Sequence, residues 1–215
     1  MYNVLLSDFS IDNERAYQNL KEVIEPLSKV LVLPYSNWEY IQDEKHYENL
    51  YDYHDGDEFN DYYRKLHMYG IQKKDISVIS PKDSVEFILS KIRKADIILL
   101  SGGDPNQFVK YTPKEVWWEL DYKEKIIGIS AGSMVQCNFY YMYKDYKDDT
   151  VPFVEKDKYY WGMGFVWETI IVHYDGNELQ QQAIKNNEKR KFKPLKLIRD
   201  GGGLMYYGGY QIGEW

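Results

Sequence analysis

The sequence has one cysteine, Cys137, and only four histidines among its 215 residues. A lone cysteine cannot form an internal disulfide or a cysteine-based zinc site. Acidic residues outnumber lysines and arginines by 34 to 27, which argues against a nucleic-acid backbone as a partner. No window approaches the roughly 18 apolar residues of a membrane helix, and the first residues lack the basic region of a signal peptide. These absences predict a cytoplasmic protein with no membrane or nucleic-acid partner.

The net charge of −7 comes from one segment of the chain. Residues 39–61 hold nine acidic residues and a single lysine, so the remainder is close to neutral. His46, His54 and Asp57 lie in this segment, but their spacing matches no metal-ligand pattern of defined geometry. We therefore expect a solvated surface segment, with no metal ion and no cofactor.

Short apolar runs alternate with helical patterns along the chain. Residues 3–6, 30–33, 76–79, 97–100, 126–129 and 169–172 are predicted strands, and continuous apolar runs of this kind are typical of strands buried on both faces. Helical spacing is present at residues 17–27, 57–69, 85–92 and 113–120, and a helix is also predicted over residues 131–143. For the helix at residues 85–92, Ser80 is the predicted N-cap and Pro81 the first helical residue.

This alternation predicts an α/β fold in one domain over residues 1–215. The fold class is a three-layer sandwich, in which a mostly parallel sheet carries helices on both faces. Near the C-terminus, residues 195–198 and 204–207 flank Asp200 and three glycines. That pattern predicts a β-hairpin.

A nucleophile elbow is the first of three features that follow predicted strands. Gly128, Ser130 and Gly132 fit the pattern G-x-S-x-G between a strand and a helix. A serine at such a sharp turn is held out from the sheet, and small neighbours let the adjoining elements approach. The amide of Ala131 would lie at a helix N-terminus, where it can donate to a developing oxyanion.

The other two features are a glycine pair and a histidine. Gly102 and Gly103 follow the apolar run at residues 97–100 and could supply a second oxyanion donor. Their context fits neither a dinucleotide fingerprint nor a phosphate-binding P-loop. His173 ends the run at residues 169–172 and could act as the base for a serine nucleophile. Ligands of open α/β sheets bind at the carboxyl ends of strands, so all three features are expected at one edge.

At these residues the chain resembles the dipeptidase E and cyanophycinase family of serine peptidases, which share the flavodoxin-like fold of class I glutamine amidotransferases. The resemblance covers most of the chain and rests on residues 30–35, 70–71, 95–103, 128–134, 162–164 and 172–174. It implies a serine hydrolase that cleaves small peptides or amides, with Ser130 as nucleophile and His173 as general base. Gly103 or Gly102, together with Ala131, would donate to the oxyanion.

The sequence departs from this family in several places. Relatives usually carry a glycine and an asparagine where this chain has Ser101 and Asp104, and Ser133 replaces an alanine. The family's spacing places the third triad member at Asp145, and Glu178 and Asp175 are alternatives. Relatives often have arginines after the histidine, but here residues 179–182 are Leu-Gln-Gln-Gln. A preference for acidic substrates is therefore not expected to carry over.

Other functions remain open at this point. A non-catalytic or regulatory member of the same fold would bind a small ligand without turnover. An α/β-hydrolase esterase would share the elbow, although the chain is short for that fold and has no His-Gly-Gly loop. A cysteine-type amidotransferase is disfavoured by the serine in the elbow, and Cys137 is expected to be a buried structural residue in the following helix. The tyrosines near residues 140–146 and 159–160 could line a pocket, form a homodimer face or pack internally.

Overall fold

The computed structural model describes residues 1–41, 43–142, 158–190 and 195–215. Its strands are β1 (Tyr2–Leu6), β2 (Val30–Leu33), β3 (Ile76–Val78), β4 (Ile97–Leu100), β5 (Lys125–Ile129), β6 (Phe139–Met142), β7 (Lys158–Trp161), β8 (Thr169–Ile171), β9 (Leu195–Leu197), β10 (Gly203–Tyr207) and β11 (Tyr210–Glu214). Its α-helices are α1 (Glu14–Leu20), α2 (Trp38–Ile41), α3 (Glu44–Tyr51), α4 (Asp57–His67), α5 (Val85–Lys94), α6 (Pro105–Tyr111), α7 (Lys114–Leu120), α8 (Ala131–Met134) and α9 (Glu178–Arg190).

Seven strands form the central sheet, in the order β11-β10-β1-β5-β4-β2-β3. The five strands from β1 to β3 in this order are mutually parallel, whereas β10 and β11 are antiparallel. The mostly parallel sheet predicted from the sequence is confirmed. Because the parallel strands share one direction, the residues that follow β1, β4 and β5 meet at the same edge of the sheet.

The helices cover both faces of this sheet, as expected for a three-layer sandwich. Alternate residues of each strand pack into two separate hydrophobic cores. In β2, Val30 and Val32 pack into the first core, and Leu31 and Leu33 pack into the second. Helices α1, α3 and α4 contribute to the first core and α5 and α7 to the second. Burial on both faces explains why the strands read as continuous apolar runs.

A C-terminal hairpin is present, but it lies further along the chain than predicted. It joins β10 and β11, and the turn contains Gly208 and Gly209, both with positive φ. Glycine is favoured at such hairpin turns because it adopts positive φ without steric cost. The predicted hairpin strand at residues 195–198 instead contributes β9, which pairs in parallel with β8 in a separate two-stranded sheet.

Three helix predictions were wrong in their boundaries. The helix predicted over residues 17–27 is α1 (Glu14–Leu20), and Leu27 has a positive φ of 65° outside any helix. Helix α5 begins after Ser84, whose hydroxyl accepts from the amide of Phe87, so Ser84 rather than Ser80 is the N-cap. Helix α8 ends at Met134, and residues 139–142 form β6 instead of continuing the helix. Aromatic residues favour strands, and β6 pairs with β7 through Tyr140 and Tyr160, whose rings stack at 5.4 Å.

The tyrosines that follow the elbow divide into two groups. Tyr140 and Tyr141 are buried in the protein, which favours the packing interpretation for this pair. Tyr143 and Tyr146 lie outside the described residues. Among the helices that the structure describes, none is both long and apolar enough to cross a membrane.

Candidate active site

Ser130 occupies the turn between β5 and α8, as the elbow pattern predicts. Its backbone has φ 48° and ψ −107°, a conformation that non-glycine residues rarely adopt. The flanking glycines are required by close packing. A Cβ at Gly132 would lie 2.2 Å from the carbonyl oxygen of Leu100, and one at Gly128 would lie 2.4 Å from that of Gly132. The strained turn is therefore held between two strand ends with no room for larger residues.

The glycine pair after β4 lies beside Ser130. A Cβ built on Gly102 would be 3.7 Å from the Cβ of Ser130, and the amide of Gly132 donates to the carbonyl of Ser101 at 3.1 Å. The loop is also fixed from its other side. Asn37 donates to the carbonyl of Gly102 at 3.1 Å, and the Ser36 hydroxyl donates to the carbonyl of Ser101 at 3.0 Å. The structure thus brings the predicted glycine loop and the elbow together.

Asp104 ends this loop and caps the next helix. Its side chain accepts from the amide of Asn106 at 2.8 Å, so Asp104 is the N-cap of α6. The residue is almost fully buried, and this burial raises the pKa of its carboxyl group. The aspartate that replaces the relatives' asparagine therefore has a structural role as a helix cap.

His173 lies within hydrogen-bond reach of Ser130, although the two residues are 43 positions apart. Nε2 of the imidazole is 2.8 Å from Oγ of Ser130. His173 follows β8, and its backbone is also in a positive-φ conformation, with φ 53°. A serine hydroxyl against an imidazole nitrogen at this distance is the arrangement in which histidine can accept the serine proton.

Asp200 contacts the other nitrogen of the imidazole. Its Oδ1 lies 2.6 Å from Nδ1 of His173, so serine, histidine and aspartate form a continuous chain of contacts. The His173 side chain is 38% exposed and that of Asp200 is 61% exposed. The imidazole therefore meets the carboxylate at the protein surface rather than in a buried pocket.

The parallel pairing of β8 with β9 explains why these two residues meet. His173 follows the carboxyl end of β8, and Asp200 follows that of β9. The pairing extends past both strands, since the amide of Tyr174 donates to the carbonyl of Ile198 at 3.0 Å. The sequence pattern predicts Asp200 in a hairpin turn and does not identify it as a partner of His173. The available signal was its position after the apolar run at residues 195–198, like the other candidate residues.

Two of the three carboxylates that the sequence offers as candidates, Glu178 and Asp175, lie away from the imidazole nitrogens. Glu178 is the exposed first residue of α9, and Asp175 accepts from the amide of Asn177 at 2.9 Å in the turn before that helix. Nδ1 of His173 contacts Asp200 instead, because the pairing of β9 with β8 places Asp200 beside the imidazole. Asp145 lies outside the described residues.

Cys137 is buried, but it does not lie in a helix as predicted. It follows α8, where it forms an isolated β-bridge with Val166. Burial raises the pKa of its thiol well above the ordinary value. Within the described residues, no cluster of His, Cys, Asp or Glu is suited to hold a metal ion.

We expect the buried thiol of Cys137 to be unreactive in the native protein. A thiol-specific chromogenic reagent at neutral pH should give no signal from the folded chain, since the thiolate is the reactive form and burial disfavours it. After unfolding in guanidinium chloride, one thiol per chain should react. Native protein that reacts as fast as a free small-molecule thiol would contradict this placement.

The sequence matches the model of peptidase family S51 over residues 52–211. No significant match is found among curated proteins. Of the solved structures that the fold resembles, one is a putative peptidase E protein from Listeria monocytogenes EGD-e. It has a TM-score of 0.63 at 17% identity, over 98% of this chain and 96% of that one. Another is a peptidase from an acI-B1 actinobacterium, with a TM-score of 0.60 at 14% identity, over 95% of this chain and 82% of that one.

Proposed function

Since the chain belongs to peptidase family S51 and is a serine peptidase, we propose that it cleaves small peptides or amides through an acyl-enzyme formed on Ser130. The observation that carries this proposal is the 2.8 Å contact between Oγ of Ser130 and Nε2 of His173. In this role Ser130 is the nucleophile, His173 the general base and Asp200 the residue that orients the imidazole. We assign the third triad position to Asp200, and not to Asp145 or Glu178, because Asp200 contacts Nδ1 of His173.

The first half of the reaction forms the acyl-enzyme. Nε2 of His173 accepts the Ser130 proton as Oγ attacks the substrate carbonyl carbon. The carbonyl electrons move to oxygen, and the resulting oxyanion accepts hydrogen bonds from backbone amides, for which Ala131 and Gly103 (or Gly102) are the candidates. The carboxylate of Asp200 stabilises the imidazolium. As the tetrahedral intermediate collapses, His173 returns the proton to the leaving amine and the C–N bond breaks.

The second half releases the acid product. His173 removes a proton from water, which attacks the acyl carbon, and the oxyanion forms again at the same amides. When the C–O bond to Ser130 breaks, the serine oxygen takes back the proton from the imidazolium. Proton and electron balance thus require no metal or cofactor.

The alternative is a member of this fold that binds a small ligand without turnover. That function would be favoured by a serine and a histidine held well beyond hydrogen-bond distance. Their contact at 2.8 Å, with a carboxylate on the far side of the imidazole, supports turnover instead.

Hydrolysis of a dipeptide library tests the proposed function. Wild-type protein is expected to release amino acids from a subset of the library, and the Ser130→Ala variant from none of it. Sorting the cleaved dipeptides by their N-terminal residue would give the side-chain preference directly. Equal hydrolysis by both proteins would contradict the assignment of Ser130.

Gly103→Ala is expected to damage the proposed oxyanion loop. A Cβ at this position would lie 2.2 Å from Oδ1 of Asn37 and 2.8 Å from the carbonyl oxygen of Ser36, and φ is 129°. We expect a loss of about 1–3 kcal/mol in the free energy of unfolding. If the amide is displaced, the hydrolysis rate should fall by about 10²–10³-fold. Urea denaturation and hydrolysis of a cleaved dipeptide measure the two effects.

Gly102→Ala is the matched control for folding. Its Cβ would approach no heavy atom closer than 3.7 Å, so the free energy of unfolding should stay near the wild-type value. A Gly103→Ala variant as stable as Gly102→Ala would contradict the packing described for this loop.

A further inference from the structure

Ser7 joins the backbone of His173 to the side chain of Asp200. It directly follows β1 and is fully buried. The amide of His173 donates to Oγ of Ser7 at 2.6 Å, and Oγ of Ser7 lies 2.9 Å from Oδ1 of Asp200. Ser7 is therefore in contact with two of the three residues assigned to the triad, although it lies 166 positions before His173.

The direction of these hydrogen bonds follows from the chemistry of the groups. A backbone amide can only donate, so the serine oxygen accepts from His173. The single hydroxyl hydrogen is then free to point at the Asp200 carboxylate, which only accepts. Oδ1 of Asp200 also lies against Nδ1 of His173, so one carboxylate oxygen is shared by the serine hydroxyl and the imidazole.

Asp200 needs such a contact because of its exposure. Its side chain is 61% exposed, and a contact between exposed polar side chains contributes little to holding them in one geometry. Ser7, by contrast, is immobilised by burial at the end of a central strand. Adjacent contacts hold the same loop, since the amide of Gly201 donates to Oδ1 of Asp8 at 2.8 Å.

His173 also benefits from Ser7. Its φ of 53° is unfavourable for a non-glycine residue and persists only where neighbouring contacts fix it. The hydrogen bond from its amide to Ser7 is one such contact, and the side chain of Gln180 donates to its carbonyl at 2.8 Å. Ser7 thus acts on both the backbone of the histidine and the carboxylate that orients its ring.

We propose that Ser7 is a positioning residue of this active site, which fixes Asp200 against Nδ1 of His173 and so keeps Nε2 directed at Ser130. The proposal rests on the proposed function of the triad. It predicts that removal of the Ser7 hydroxyl slows acylation without weakening substrate binding. A purely structural residue would lower stability but leave the reactivity of the folded fraction unchanged.

The test is the rate at which a fluorophosphonate labels Ser7→Ala, together with kcat and KM for a cleaved dipeptide. We expect labelling and kcat to fall roughly 10- to 100-fold, because displacement of a catalytic group by about 1 Å can cost on the order of 100-fold. KM should stay within about twofold of the wild-type value if binding is unaffected. If Ser7→Ala does not fold, Ser7→Cys, with a weakly hydrogen-bonding thiol, is expected to show the same fall.

Thr112→Val is the matched control. Thr112 is also buried, and its hydroxyl donates to the carbonyl of Phe108, away from the triad. This variant should lose stability but label at the wild-type rate. If a folded Ser7 variant is labelled at the same rate as Thr112→Val, the proposed role of Ser7 is wrong, whereas the triad assignment is unaffected. Failure of the wild-type protein to label would overturn the triad, and with it this proposal.

A double-mutant cycle tests whether Ser7 acts through Asp200. In an Asp200→Ala background, the further change Ser7→Ala should lower the labelling rate by only about threefold, because the path through Asp200 is already lost and only the contact with the His173 amide remains to be removed. An equal factor in both backgrounds would overturn the proposed path through Asp200.

Discussion

Replacing Ser130 with alanine is expected to reduce kcat for dipeptide hydrolysis by on the order of 10⁵–10⁶-fold, the scale of loss when a serine nucleophile is removed from a triad. The change removes the oxygen that lies 2.8 Å from Nε2 of His173, so no acyl-enzyme can form. KM should change little where the remaining site still binds substrate. The measurement is kcat from initial rates at saturating substrate, with a long incubation for the variant.

Ser90→Ala is the matched control for this substitution. Ser90 lies on the exposed side of α5, where its hydroxyl donates to the carbonyl of Phe87. Its loss should leave kcat unchanged. A Ser130→Ala variant that keeps more than about one hundredth of the wild-type kcat would point to another nucleophile.

Asp200→Asn is expected to give the second largest loss, about 10³-fold in kcat. A buried aspartate in such a triad contributes about 10⁴-fold when changed to asparagine. Asp200 is 61% exposed, so water can partly replace its charge beside the imidazolium and the loss should be smaller. Stability should fall by no more than about 1 kcal/mol, because contacts between exposed polar side chains contribute little. Steady-state kinetics and thermal unfolding measure the two quantities.

Glu178→Gln and Asp175→Asn are the controls that separate Asp200 from the carboxylates considered from the sequence. Glu178 is exposed at the start of α9, and Asp175 accepts from a backbone amide in the turn before it. Both variants should retain kcat within about threefold, in line with the small effects typical of surface substitutions. A large loss in Glu178→Gln with normal activity in Asp200→Asn would contradict the assignment.

The sequence was most informative where one physical requirement dominates. Strands buried on both faces must be continuously apolar, and all six predicted strands are present with boundaries shifted by at most one residue. The elbow was equally clear, because close packing leaves no room for a side chain at Gly128 or Gly132. The histidine that contacts the elbow serine could also be predicted, because His173 is the one histidine among four that follows an apolar strand-like run.

Long-range pairing was what the sequence could not supply. From the sequence, residues 195–198 could pair either with β10 across the glycines or with β8, and local residue patterns do not distinguish the two pairings. The structure shows the pairing with β8. The choice decides the site, because pairing with β8 brings Asp200 to His173. The end of helix α8 was predicted wrongly for a similar reason: the Tyr140 segment forms a strand instead of continuing the helix because β7 pairs with it. Ser7 likewise has no local signal, since both of its partners come from distant loops.

The most direct test of the proposed catalytic centre is to map the site of fluorophosphonate attachment by peptide mass spectrometry. The proposed mechanism predicts a single covalent adduct on the peptide that contains Ser130, with no adduct formed by Ser130→Ala and a much slower reaction in Asp200→Asn. The absence of an adduct on the wild-type protein, or an adduct that persists in Ser130→Ala, would contradict it.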